Sequence, residues 1–166
     1  MKILPRAFTA LVLLTTSTLL LAASADDSAF AAKAAQAGNA EVAAGEIAKT
    51  KASDPRVKQF AETMVKDHSA AGSALQAAAS KSSIALPSGV SVEQKAATER
   101  LATFSGAEFD RNYMDQMVKD HKEAVALFEK EAATGEDARL KAFAQQTLPT
   151  IKMHLEMAEK LAAKGK

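Results

Sequence analysis

The pentapeptide Met-Val-Lys-Asp-His occurs twice in this chain, at residues 64–68 and again at residues 117–121. The likeness extends beyond these five residues, since Phe60 corresponds to Tyr113 and a helix-starting signal lies upstream of each copy. Around both copies apolar residues recur every three or four positions, which is the period of an amphipathic helix. The repeat therefore predicts two corresponding helices from two helical hairpins, and hence an all-α four-helix bundle.

Capping residues set the expected ends of these helices. Asp54 precedes Pro55, which is the usual pairing of an N-cap with a proline at the first helical position. Ser105 is followed three residues later by Glu108, which predicts a capping box. Gly135 is the expected end of the helix that starts after Ser105.

Four long helices are predicted, at residues 28–52, 55–80, 106–133 and 136–163. The connection between the second and third helices is long, with a loop at residues 82–91 and a short extra helix at residues 92–104. Such a length favours a connection that crosses the bundle, so that the second and third helices run parallel. Pro149 predicts a kink in the last helix near Gln145. No segment alternates in the strand period, so no sheet is expected.

The first 25 residues have the pattern of a signal peptide. Lys2 and Arg6 precede an apolar run at residues 7–21, and Ala23-Ser24-Ala25 is the small-residue pattern before a cleavage site. The apolar run is shorter than the roughly 20 residues that span a bilayer. We therefore expect residues 1–25 to be cleaved and residues 26–166 to form one bundle domain without a transmembrane span. The expected location is the periplasm or the exterior, with outer-membrane association as an open alternative.

Composition narrows the choice of partners. The chain has no cysteine, so an exported domain must be held together by its core rather than by disulfides. Removing Lys2 and Arg6 from 21 basic residues leaves 19 against 20 acidic residues, a net charge of −1. The charges alternate in sign, tryptophan is absent and tyrosine occurs once, so nucleic acid is not an expected partner. A protein partner stays unknown.

Each predicted long helix directs one ionisable side chain at the bundle axis. His68 and His121 lie within the apolar stripes of the repeated helices, and His154 lies within the stripe of the last helix. Glu41 lies between the alanines of the first helix, on the face that also carries Phe30. At about 1.5 Å rise per residue, the four side chains fall within about one helical turn of the same height.

Buried imidazoles and a carboxylate need partners, and two arrangements satisfy them. They can hydrogen-bond one another, helped by Asp67, Asp120, Tyr113 or a buried water. Alternatively they can bind a metal, since imidazole and carboxylate suit Zn, Fe, Mn or Cu. The candidate ligands are Glu41, His68, His121 and His154, with Met64, Met117, Asp67 and Asp120 as secondary candidates. The two methionines lie one turn before their histidines, where they would favour copper(I) or simply fill the core. Both arrangements stay open.

Several stretches resemble the bacterial family named domain of unknown function 4142, whose members are exported proteins often described as outer-membrane proteins. The matching stretches are Phe30 to Ala48 with Asn39-Ala40-Glu41-Val42, Val57 to Ala61, Met64, Asp67-His68, Leu86-Pro87, Phe109-Asp110, Tyr113, Met117-Val118, Asp120-His121, and Leu148-Pro149 to His154-Leu155. The resemblance implies a ferritin-like bundle and export, and it implies no activity.

The chain departs from the di-iron pattern of ferritin-like bundles, in which two helices each carry Glu-x-x-His. Val65, Val118 and Ile151 stand three residues before the three histidines, where that motif has glutamate. A di-iron oxidase is therefore not expected. Gly-x-Ser-x-Gly, a nucleophilic cysteine and a phosphate-binding glycine loop are also missing, which disfavours the corresponding enzymes.

Two functions follow from these observations. The favoured one is a non-catalytic envelope protein, associated with stress or with a protein partner through its outer surface. The alternative is a metal-binding or metal-buffering periplasmic protein with a histidine-rich site in the bundle core, holding Zn, Cu or Fe.

Overall fold

Five helices account for the fold of residues 24–165, which are the residues that the computed structural model describes. The helices are α1 (Ala25–Lys51), α2 (Pro55–Lys81), α3 (Val92–Leu101), α4 (Gly106–Thr134) and α5 (Ala138–Lys164). No strand occurs among the described residues. The predicted all-α bundle with a short extra helix is confirmed. The predicted signal peptide lies outside the described residues, apart from Ser24 and Ala25.

The wiring of the bundle follows from its contacts. Helix α1 packs against α2 and α4, and α5 packs against α4 and α2, so α2 and α4 occupy opposite corners. The starts of α2 and α4 lie at the same end of the bundle, because the Asp110 carboxylate accepts the backbone N–H of Asp54 at 2.9 Å. The rings of Phe60 and Tyr113 are likewise 6.2 Å apart. Helices α2 and α4 are therefore parallel, as the long connection predicts, and α3 lies in that connection against α1 and α4.

Two apolar clusters fill the bundle, one towards each end. The cluster at the start of α2 and α4 includes Phe60, Met64, Phe109, Tyr113 and Met117. The cluster at the opposite end includes Phe30, Leu75, Phe128, Leu140 and Phe143. Burying each such side chain contributes about 1.5–3 kcal/mol. Between the two clusters, at mid-height, the helices carry their histidines.

At the starts of α2 and α4, one predicted helix cap is confirmed and the other is wrong. Asp54 caps α2 through the N–H of Arg56, with Pro55 at the first helical position, as predicted. The predicted capping box of Ser105 and Glu108 is wrong, since the Ser105 side chain makes no capping bond. The reason lies in Gly106, the first residue of α4, whose φ of +59° departs from helical backbone at the position that follows the Ser105 cap.

Helix α5 continues through Pro149, and His154 lies in the segment beyond this proline. Proline has no N–H, so the carbonyl of Gln145 lacks its helical donor at the place where the kink was predicted. Among residues 24–165, no helix combines the length and the apolar character needed to cross a membrane.

Candidate metal centre

Three helices bring one histidine each to the middle of the bundle. His68 comes from α2, His121 from α4 and His154 from α5. The ring centroids are 5.6 Å apart for His68 and His121, 5.5 Å for His68 and His154, and 5.7 Å for His121 and His154. His121 and His154 are each only 1% exposed. The repeated pentapeptide therefore places its two histidines in one cluster, which a third histidine completes.

The orientation of His121 is fixed by its own helix. Its Nδ1 lies 2.9 Å from the backbone carbonyl oxygen of Met117, one turn earlier in α4. A carbonyl oxygen can only accept, so Nδ1 carries the hydrogen and Nε2 carries the lone pair. Nε2 of His121 is buried and has no protein hydrogen-bond partner. The lone pair of His121 is thus buried without a donor.

His154 is fixed from a neighbouring helix. Its Nε2 lies 3.1 Å from a carboxylate oxygen of Asp67 in α2, and the carboxylate accepts this bond. The lone pair of His154 is consequently on Nδ1, which is also buried and without a protein partner. A histidine held by a carboxylate through one nitrogen and free at the other is the usual arrangement of a metal-binding histidine.

His68 completes the set, since its Nε2 is buried and again has no protein partner. One nitrogen from each of the three rings lies within 4.8 Å of the other two. Zn–N distances of about 2.0–2.1 Å in tetrahedral geometry bring such nitrogens to about 3.4 Å from each other. Binding of one ion would draw the three nitrogens closer together.

The three rings are neutral at ordinary pH. Burial, together with the neighbouring His121 and His154, lowers the pKa of His68 to about 3. Burial also lowers the pKa of His121 to about 4, against the raising effect of the Met117 carbonyl. For His154, burial lowers the pKa although Asp67 opposes the shift. Neutral imidazole is the form that binds metal, so all three lone pairs are available.

Glu41 reaches the same layer from α1 but lies beside His121 rather than within the set of three nitrogens. Its Oε1 is 3.8 Å from Nδ1 of His121, the nitrogen already bonded to Met117. Burial, together with the negative charge of Asp120, raises the pKa of Glu41 well above its ordinary value. Because His121 is neutral as well, this contact is not an ion pair.

The four secondary candidate ligands lie outside the group of three histidines. Met64 and Met117 are fully buried within the apolar cluster that also contains Phe60 and Tyr113. Asp67 orients His154, and Asp120 lies close enough to Glu41 to affect its pKa. Among these residues, only the three histidines form a group with metal-ligand spacing in the described part of the chain.

Sequence reasoning did not anticipate the large cavity that reaches this site. The cavity has a volume of about 1370 Å³, and all three histidines, Glu41 and Asp67 line it. It has no sequence signature, because it arises from small residues on helices that meet only in the folded chain. Asp110 is also explained only by the fold, since its carboxylate accepts the backbone N–H groups of Ser53 and Asp54 in the turn between α1 and α2.

A family model described as domain of unknown function (DUF4142) matches residues 15–161. The chain belongs to this family. No curated protein matches this DUF4142 chain. Among solved structures it is similar to the crystal structure of a DUF305 fragment from Deinococcus radiodurans, with a TM-score of 0.75 and 14% sequence identity. The match covers 86% of this chain and 98% of that one. At this identity the likeness shows the fold alone.

Proposed function

We propose that this DUF4142 protein binds a single transition-metal ion in the cell envelope through His68, His121 and His154. One observation carries the proposal: each histidine has one buried ring nitrogen without a protein partner, and one nitrogen of each ring lies within 4.8 Å of a nitrogen of the other two. The sequence by itself favoured a partner-binding protein over a metal-binding one. The orientation of the rings reverses that preference.

The alternative, a core of histidines that hydrogen-bond one another, fits the ring orientations poorly. His121 Nε2 and His154 Nδ1 are both acceptors, because the hydrogen of each ring is on the nitrogen that bonds Met117 or Asp67. Two acceptors cannot bond each other. A buried polar atom without a partner costs about 1–3 kcal/mol, so three in one layer are a substantial cost. A metal ion would satisfy all three at once.

The chemistry of the donors narrows the choice of metal. Three neutral imidazoles without a thiolate suit Zn²⁺ and copper, and these are also among the divalent ions that such donors bind most tightly. The di-iron pattern is absent, since valine and isoleucine precede the histidines where glutamate is required. We therefore propose Zn²⁺ or copper rather than a di-iron centre. Asp67 would hold His154 in place for the ion.

Export is part of the proposal, supported by the basic start, the apolar run and the Ala-Ser-Ala pattern before Asp26. Within the described residues, Ser24 forms a capping box with Asp27 at the start of α1. Cleavage before Asp26 would remove this cap, which is worth about 0.5–2 kcal/mol.

Purified mature protein tests the proposal directly. Titration with Zn²⁺ and with copper in the presence of a competing chelator should give one tight site per chain, measured by calorimetry and elemental analysis. His68→Ala, His121→Ala and His154→Ala should each abolish tight binding, because each removes a ligand. Mass spectrometry of protein from its native envelope should show the N-terminus at Asp26.

Glu62→Gln is a suitable control, since this side chain is exposed on α2 away from the cluster. It should bind metal like the unaltered protein. Unchanged metal content in all three histidine variants would refute the metal function and favour a purely structural role.

A further inference from the structure

The proposed metal centre has a ligand position that the protein does not fill. Zinc in proteins is usually four-coordinate, and a centre with three protein ligands keeps its fourth position for water or substrate. Glu41 lies against Nδ1 of His121 and Asp67 is bonded to Nε2 of His154. Asp67 is therefore engaged by a ring nitrogen that does not bind the ion, and Glu41, whose Oε2 is buried without a protein partner, lies outside the group of three histidines that have metal-ligand spacing.

The cavity leads to this open position. It is lined by the three histidines and extends along α1 and α4 towards the segment that connects α2 to α3. Its volume of about 1370 Å³ exceeds the roughly 300–1000 Å³ that is common for small-molecule sites. The space exists because α1 contributes Ala34, Ala37 and Gly38 along it and α4 contributes Ala124. These side chains are too small to fill the gap between the helices.

One wall of the cavity is apolar. The large apolar side chains that line it are Leu75, Leu86, Leu127, Phe128, Phe143 and Ile151. Most of them belong to the apolar cluster on the side of the histidines away from Met64 and Met117. A ligand bound at the metal would therefore have apolar side chains on one side and a Lewis acid at its end.

We infer that the cavity is a binding site for a small organic molecule that coordinates the metal through a single donor atom and places an apolar body against this wall. The chemical class is an aromatic or aliphatic compound with one imidazole, carboxylate or thiolate group. This inference rests on the proposed three-histidine metal centre, and it adds the ligand of that centre.

Cobalt(II) gives a test, because its visible absorption bands respond to a change of coordinating ligand. Cobalt-loaded mature protein should show these bands, and titration with imidazole and with 4-phenylimidazole should change them saturably. Burial of the phenyl ring against the apolar wall should make 4-phenylimidazole bind about tenfold more tightly or better.

A matched pair of variants locates the apolar contact. Leu127 and Leu148 are both partly buried against the same cluster, but only Leu127 lines the cavity. Leu127→Ala should reduce the advantage of 4-phenylimidazole several-fold, whereas Leu148→Ala should leave it unchanged.

Different negative results would refute the metal centre, the open ligand position and the apolar binding site. Absence of cobalt bands in unaltered protein that also fails to bind Zn²⁺ and copper in the chelator titration would refute the proposed function, and the inference with it. Cobalt bands that neither compound changes would leave the metal centre standing and refute the open position. Equal affinity for the two compounds, or equal effects of the two leucine variants, would refute the apolar binding site.

Discussion

At the scale of single residues, each of the three histidines has a buried ring nitrogen without a protein partner. Such a nitrogen destabilises the metal-free protein and is available to bind a ligand. His121 and His154 are each held through one nitrogen, by Met117 and Asp67, while the other nitrogen is buried without a partner. His68 is a simpler case, because its Nε2 is buried without a partner and it makes no bond to the groups that hold the other two rings. Such atoms cost free energy in the metal-free protein, and binding would recover it.

This difference predicts opposite effects of two similar substitutions on the metal-free protein. His68→Met removes an unpartnered nitrogen at similar volume, so the free energy of unfolding should stay the same or rise by about 1–2 kcal/mol. His154→Met breaks the hydrogen bond to Asp67, so the free energy of unfolding should fall by about 1.5–3 kcal/mol. Urea unfolding in the presence of a chelator measures both. Equal losses would mean that His68 has a structural partner, which contradicts the account of the site.

At the scale of the helices, one cluster ties the start of α1 to the end of α4 and the start of α5. Asp27 accepts the backbone N–H groups of Glu136 and Asp137, each at 3.0 Å. Glu131 is buried against this carboxylate, and its Oε1 has no protein partner. A side chain at Gly135 would meet the backbone of Glu131, since a Cβ there would lie 2.7 Å from the Glu131 carbonyl oxygen. The close approach therefore requires glycine.

Glu131 makes a contribution to the free energy of unfolding that falls as the pH rises, opposite to the contribution of the three histidines, whose lowered pKa values make stability rise with pH up to about 6.5. Burial first, and the charge of Asp27 second, raise the pKa of Glu131 from 4.5 to about 7. Between these two values the unfolded chain loses the proton while the folded protein keeps it, so unfolding becomes easier with increasing pH. Glu131→Gln should remove this dependence and stabilise the protein at pH 8 by about 1–3 kcal/mol.

Urea unfolding at pH 5 and at pH 8 measures the effect, with Glu62→Gln as the control because Glu62 is exposed on α2. A Glu131→Gln protein whose pH dependence equals that of the unaltered protein would show that Glu131 titrates normally.

Local patterns predicted the helices well, because the apolar period and the capping residues are contained in each segment. The capping box at Ser105 failed because the positive φ of Gly106 depends on how the chain enters α4. The role of Asp110 could not be predicted either, since its partner Asp54 lies 56 residues away. The inward direction of the histidines followed from their stripes. The free nitrogen of His154 did not, because Asp67 on another helix determines it.

At the scale of the whole molecule, the crossing connection explains why the repeated pentapeptide leads to one cluster. Helices α2 and α4 run parallel from the same end, so His68 and His121 stand at the same height and face each other across the bundle. Helix α5 adds His154 between them. The apolar clusters on either side fix this layer, and the cavity connects it to the surface.

Anomalous X-ray diffraction can locate the ion at the three histidines. Crystals of the mature protein would be loaded with one equivalent of Zn²⁺ or copper and recorded at the absorption edge of the metal. We expect one strong anomalous peak per molecule, about 2.0–2.1 Å from Nε2 of His68, Nε2 of His121 and Nδ1 of His154. A cluster without a peak, or peaks only at surface carboxylates, would contradict the proposed metal centre.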